Sequence, residues 1–198
     1  MQHETHFEER FEGELEADWS WVREAAEAWC VKEGTLHVQT LPGTLWGERN
    51  DARNILVRPP QTAAEGLISE VSVYNQPVLQ GEQAGLIWYV DDANYVKLVK
   101  ESLEGSVWIV LAREENDAPA LIDKVPIASD SARLRLSLVD GNVTGAYRAS
   151  DTDDWQTVGA CAPLPQAAIR PGIFTHGGPD DTERWVEFSL FGLSTAGR

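Results

Sequence analysis

The side chains in this sequence with the most chemistry to offer are carboxylates and indoles: 32 Asp plus Glu and 8 Trp, against 4 His and 2 Cys. Carboxylates move protons, ligate hard cations or accept hydrogen bonds from hydroxyls. Indole rings stack on apolar faces while Nε1 donates. A pyranose needs both kinds of partner, because it presents C–H faces and a rim of hydroxyls. Eight residues in or beside strand-like stretches combine these properties and are the candidate ligand-binding set: Glu70, Trp88, Tyr95, Lys97, Glu101, Trp108, His176 and Glu187. His176 stands before Gly177-Gly178, where a strand should end at a rim, and its ring can both donate and accept. Trp19, Trp21, Trp29 and Trp155 read as core or sandwich-edge residues, and Trp108 fits that reading as well as the ligand-binding one.

Other chemistries lack their motifs. There is no GxSxG, no P-loop and no GxGxxG after a strand. His3-Glu4-Thr5-His6 lacks the HExxH spacing and sits at a terminus. Retaining glycosidases place two carboxyls about 5 Å apart, and no ExDxxE run supplies such a pair along one strand. If the chain were a hydrolase, Glu70 and Glu187 would have to be brought together by tertiary structure. Asp151, Asp153 and Asp154, or Asp180, Asp181 and Glu183, are loop carboxylates of the kind that ligate calcium. They read as solvated turns, so no metal or cofactor is expected.

The elements that must position these residues are strands. Period-two alternation dominates and no long segment keeps a 3.6 period, which predicts an all-β fold. In Arg133 to Arg148, Leu134, Leu136 and Leu138 alternate with polar residues before Asp140-Gly141, a pair suited to a type I′ turn. Ala84 to Val90, Tyr95 to Glu101 and Ser106 to Arg113 form a meander between turn signals. Arg23 to Trp29 reads as a turn or a single helical turn. About fifteen short strands in all suit two packed antiparallel sheets. With Val71 and Val73 turned inward, Glu70 faces outward. With Val186, Phe188 and Leu190 inward, Trp185 and Glu187 face outward. For Trp88 and Tyr89 the parity leaves open which of the two is exposed.

Length and charge narrow the possibilities further. The 198 residues suit one domain over residues 1–198. A formal charge of −16 repels nucleic acid and anionic membranes, and the apolar runs are too short for a spanning helix. The first 30 residues hold 9 acids against 2 bases, so part of that charge belongs to the amino-terminal segment. That segment has no basic stretch leading into an apolar one, and a cytoplasmic location with Cys30 and Cys161 as free thiols is expected.

Two stretches carry a resemblance. Leu41-Pro42-Gly43-Thr44-Leu45-Trp46-Gly47, followed by Asn50-Asp51-Ala52-Arg53-Asn54-Ile55-Leu56-Val57-Arg58-Pro59, is the first. Ala84-Gly85-Leu86-Ile87-Trp88-Tyr89-Val90-Asp91-Asp92-Ala93-Asn94-Tyr95-Val96-Lys97-Leu98 is the second. Together they resemble an uncharacterised domain of the concanavalin A-like lectin/glucanase superfamily, similar to the C-terminal β-sandwich of family 43 β-xylosidases and to fungal enolase-regulation proteins. The resemblance implies a jelly-roll of two antiparallel sheets, one of them concave. In the β-xylosidases such a domain packs on a separate catalytic propeller. The paired-acid strand of the superfamily's glucanases has no counterpart in this sequence. The expected function is a non-catalytic carbohydrate-binding or carbohydrate-metabolism-associated sandwich with an oligosaccharide ligand. The alternatives are a glycoside hydrolase acting through a carboxylate pair and a regulatory module with a protein partner.

Overall fold

The computed structural model describes residues 3–196, the side chain of His3 excepted, so Met1 and Gln2 of the amino-terminal stretch lie outside the described residues. The strands are β1 (His3–Glu9), β2 (Ser20–Val22), β3 (Trp29–Lys32), β4 (Thr35–Gln39), β5 (Leu45–Trp46), β6 (Arg49–Asn50), β7 (Ile55–Val57), β8 (Gln61–Thr62) and β9 (Leu67–Tyr74). They continue with β10 (Gln83–Asp91), β11 (Asn94–Leu103), β12 (Ser106–Glu115), β13 (Ala118–Pro126), β14 (Ser131–Val139), β15 (Asn142–Arg148), β16 (Gln156–Cys161), β17 (Ala168–His176) and β18 (Trp185–Ala196). The only helical element among the described residues is a 3-10 turn, Ala26–Ala28.

Two antiparallel sheets make the sandwich. Sheet I has the order β16-β15-β14-β9-β18-β4-β3, with β1 also on β18, and sheet II has β13-β12-β11-β10-β17-β7-β2, with β8 also on β17. The fold is therefore all-β, two antiparallel sheets consistent with a jelly-roll. The β14–β15 hairpin closes at Asp140 (φ 51°) and Gly141 (φ 70°), the positive-φ pair expected of that dipeptide. Alternation along the strands then sends Leu36, Val71, Leu86, Leu98, Leu111, Leu134 and Phe188 into one core between the sheets.

Three short strands, β5, β6 and β8, escape the period-two reading because two residues have no period. The β5–β6 hairpin is the consequential one, since it folds over the outer face of sheet II. Trp88 is corrected by the structure: it points into the core, 2% exposed, and its Nε1 donates to Ser69 Oγ on sheet I at 2.8 Å. It bridges the sheets and is out of reach of an external ligand. Other indoles fill edges as expected. Trp19 meets Phe191 edge-on at 5.0 Å, Trp21 packs on Trp29 at 5.0 Å, and Arg135 lies 3.8 Å over Trp155. Cys30 and Cys161 are unpaired.

Candidate ligand-binding cleft

The antiparallel register of sheet II lays four polar or aromatic side chains in one row. Gln83 on β10 is opposite His176 on β17 and Glu101 on β11, and Glu101 is opposite Trp108 on β12. Four residues before Glu101, on the same side of β11, comes Lys97. The outer face of this sheet thus gathers Gln83, Lys97, Glu101 and His176, all at most 8% exposed. The β5–β6 hairpin forms the wall opposite His176 and holds Trp46 above Lys97, 40% exposed, with Nζ 5.1 Å from the ring centroid. Between hairpin, β9–β10 loop and sheet lies a cleft of about 330 Å³, at the small end of ligand pockets.

Two strand residues anchor that wall. The Tyr95 hydroxyl lies 2.6 Å from both the Leu45 carbonyl and Glu114 Oε2, and the same carboxylate oxygen accepts the Gly47 amide at 3.0 Å. Lys97 Nζ donates to the Leu45 carbonyl at 3.3 Å. The hairpin is therefore tied down through Leu45 and Gly47, which leaves the intervening Trp46 side chain free to face the cleft.

The floor is electrostatically unusual. Burial pushes the Lys97 ammonium down to about 8, against the opposing pull of Glu101 and Glu114. Burial likewise raises Glu101, with Lys97 and Lys124 pulling the other way. His176 is held well below its ordinary value by burial and by the nearby Lys97 charge, so its ring is neutral at pH 7. Both His176 ring nitrogens and Gln83 Oε1 are buried without a hydrogen-bond partner among the described residues, while Gln83 Nε2 donates to Glu101 Oε1 at 3.1 Å. Buried polar atoms of this kind ordinarily have partners. A ligand carrying several hydroxyls satisfies such a floor, taking donors from Lys97 and acceptors from Glu101 and Gln83.

The structure thus brings Lys97, Glu101 and His176 together and separates them from the other candidates. Tyr95 is fully buried under the hairpin and shapes the wall without being exposed to the cleft. Trp108 ends the row, where Nε1 donates to the Leu103 carbonyl at 3.1 Å and Lys124 Nζ lies 4.3 Å over its ring. Glu70 and Glu187 belong to sheet I, on the opposite side of the molecule. Glu70 faces outward as expected but is closed by Arg133 and Arg135, which occupy both its oxygens at 2.6–3.0 Å. The β9–β18 register opposes Glu70 to Gly192 and Tyr74 to Glu187, so the two acids stand four residues apart along the strand. That is about 13 Å, beyond the spacing of either glycosidase mechanism. Sequence reasoning passed over Trp46, Gln83 and Glu114. Gln83 sits one residue before the strand start read at Ala84, and its register with Glu101 was the available signal.

Among the described residues no three His, Cys, Asp or Glu side chains converge as a metal would require. In the acidic loops Asp151 is engaged by Arg148 at 2.7 Å and Asp153 Oδ2 accepts the Ser150 amide at 2.9 Å.

A sandwich with an open cleft on one sheet and the strand orders above is a concanavalin A-like domain. More specifically, the chain belongs to the family of β-xylosidase C-terminal concanavalin A-like domains, whose family model matches residues 5–176. Among solved structures it is similar to the GH43 protein BlXynB of Bacillus licheniformis, with a TM-score of 0.83 and 19% identity over 96% of this chain and 39% of that one. The xylan β-1,4-xylosidase of Bacillus halodurans matches with a TM-score of 0.77 and 16% identity, over 94% of this chain and 38% of that one. A functionally unknown protein of Saccharomyces cerevisiae matches with 0.76 and 15%, over 92% of this chain and 98% of that one. At these identities the likeness is one of fold, and the chain spans about two fifths of the length of the two bacterial proteins. No curated protein matches the chain.

Proposed function

We propose that the chain is a carbohydrate-binding β-sandwich that holds a short saccharide or a chain end in the cleft under Trp46 and cleaves no bond itself. One observation carries the reading: an exposed indole stands over a floor of buried, partly unpartnered polar groups, His176, Gln83, Lys97 and Glu101. The arrangement supplies the apolar platform and the mixed donors and acceptors that a pyranose demands. Kinship with xylosidase domains supports xylan-type oligosaccharides as the first ligands to test. The placement of the carboxylates supports a site without catalysis. Among the described residues Glu101 is the only carboxylate lining the cleft, Glu114 is turned under the hairpin, and Glu70 and Glu187 lie on the other sheet.

The test is a titration of tryptophan fluorescence with xylo-oligosaccharides. Wild type should saturate, and Trp46→Ala should bind at least about tenfold more weakly through loss of the stacking face. Equal affinity in the two proteins would remove Trp46, and with it the reading, from consideration.

A pH prediction follows from Lys97, which is faced by Tyr95, Glu101, Glu114 and His176. Its folded value of about 8 lies below the ordinary 10.5, and Lys100, buried against the Asn75 and Asp130 carbonyls, shifts the same way. Between those values the unfolded chain binds more protons, so stability rises with pH by up to about 1.4 kcal/mol per unit for each lysine. Above about pH 9 the raised thiol of Cys161 opposes this, because the unfolded thiol ionises first. Ligand affinity should move in the other direction, since a neutral Lys97 is a poorer donor to hydroxyls. Urea unfolding and ligand titration from pH 7.5 to 9 should therefore diverge, stability rising while affinity falls.

A further inference from the structure

Sheet I carries exposed rings that the cleft does not use. Tyr74 at the end of β9 is 45% exposed and Trp185 at the start of β18 is 39% exposed. The register opposes Tyr74 to Glu187, and Trp185 precedes Glu187 by two residues, so all three project from the same outer face. Tyr74 and Trp185 are thus diagonal neighbours on paired strands, about 7–8 Å apart at Cα. A shallow hollow of about 210 Å³ adjoins both rings at the strand ends and is bordered by Asn75, Gln76, Glu82 and Arg184. Asn75 is 4% exposed and its Oδ1 has no hydrogen-bond partner among the described residues, while Arg184 Nε makes no hydrogen bond there and only pairs with Glu82 Oε1 at 3.8 Å. Glu82 borders this hollow while the next residue, Gln83, lines the cleft, so the two sites lie on either side of one segment.

Two exposed aromatic rings on one face of paired strands, with the orphaned Asn75 acceptor and the Glu82-paired Arg184 guanidinium in the adjoining hollow, suit a ligand of flat C–H faces edged by hydroxyls. Charge selects among such ligands. Glu82, Glu183 and Glu187 stand around a single Arg184 in a chain of net charge −16, which disfavours polyuronates and sulfated glycans. An extended β-linked chain can lay successive rings across both aromatics. We propose that the Tyr74–Trp185 face is a second binding site, a platform for a neutral β-linked polysaccharide chain, distinct from the cleft under Trp46.

The experiment measures retention of the full chain on insoluble xylan and on cellulose, with polygalacturonate as the anionic control. Wild type should be retained on at least one of the neutral polymers and not on the anionic one. Trp185→Ala and Tyr74→Ala, both at exposed positions, should each weaken retention about tenfold. The same comparison in a Glu101→Gln background, in which the cleft is weakened, should show the same losses from Trp185→Ala and Tyr74→Ala, while titration with soluble xylo-oligosaccharides reads the cleft by itself, and this separates failure of the platform from failure of the cleft. The proposal is overturned by no retention on either neutral polymer, by retention unchanged in both aromatic variants, or by equal retention on polygalacturonate. Sedimentation showing a wild-type dimer that Trp185→Ala dissociates also overturns it, because the rings would then be a contact between copies of this chain.

Discussion

Glu114→Ala is expected to lower stability by about 2–3 kcal/mol and to weaken saccharide binding at least tenfold, although Glu114 does not line the cleft. The carboxylate is fully buried on β12 and accepts both the Tyr95 hydroxyl and the Gly47 amide. A hydrogen bond to a charged group contributes about 1.5–3 kcal/mol, and its loss leaves the Gly47 amide without this partner beside a new void. The hairpin would then keep its hold on sheet II mainly through the Leu45 carbonyl, and Trp46 would lose its fixed position over Lys97. Glu114→Gln retains an acceptor oxygen and should recover most of the stability. Urea denaturation measures the first effect, and hydrogen exchange at the Gly47 amide the local one. An amide as protected in Glu114→Ala as in wild type would mean that the hairpin is held by other contacts.

Gly177→Ala is expected to be comparably damaging at the opposite wall. Gly177 has φ +81°, and a Cβ there would stand 2.5 Å from the Gly81 carbonyl oxygen and 3.0 Å from Glu82 Cα, both backbone atoms that cannot swing aside. The left-handed conformation costs an L side chain about 1 kcal/mol, and the overpacking about 1–3 more. A total near 3 kcal/mol corresponds to a fall in melting temperature of roughly 6–12 °C for a chain of this size. The strand end carrying His176 would be pushed away from the Gly81–Gln83 segment, opening the row in which Gln83 faces His176. Thermal denaturation checks the magnitude. A melting temperature within a degree or two of wild type would show that the two loops separate without cost.

How much of this architecture can be read before folding depends on how each strand is covered. Where one face meets the core and the other meets solvent, as along Arg133 to Arg148, alternation gives strand, turn and facing correctly. In β10 it fails, because Leu86 and Trp88 face the core while Ile87 and Tyr89 are buried by the loops and strands over the outer face. Both faces are then apolar, and the inward position of Trp88 is legible only from Ser69 across the sandwich. In β11 alternation does not single out a buried side either, for the related reason that Lys97 is a charged residue on the floor of a covered face. Glu70 looked like a free carboxylate because its cations, Arg133 and Arg135, lie more than sixty residues away in sequence and arrive through strand pairing. The cleft is half legible: Lys97 and Glu101 are named by residue type within a strand, and His176 by its place before Gly177-Gly178. Trp46 and Glu114 depended on a hairpin whose strands are too short to leave a pattern.

A saccharide held between Trp46 and the His176–Gln83–Glu101 row is the core of the proposed function. Crystals of the chain soaked with xylo-oligosaccharides test it most directly. The expected result is a pyranose ring stacked on Trp46, with hydroxyls within hydrogen-bond distance of Glu101 and of Lys97 or His176. Crystals whose cleft is open to solvent, soaked at saturating concentration and showing only water over Lys97, would contradict it.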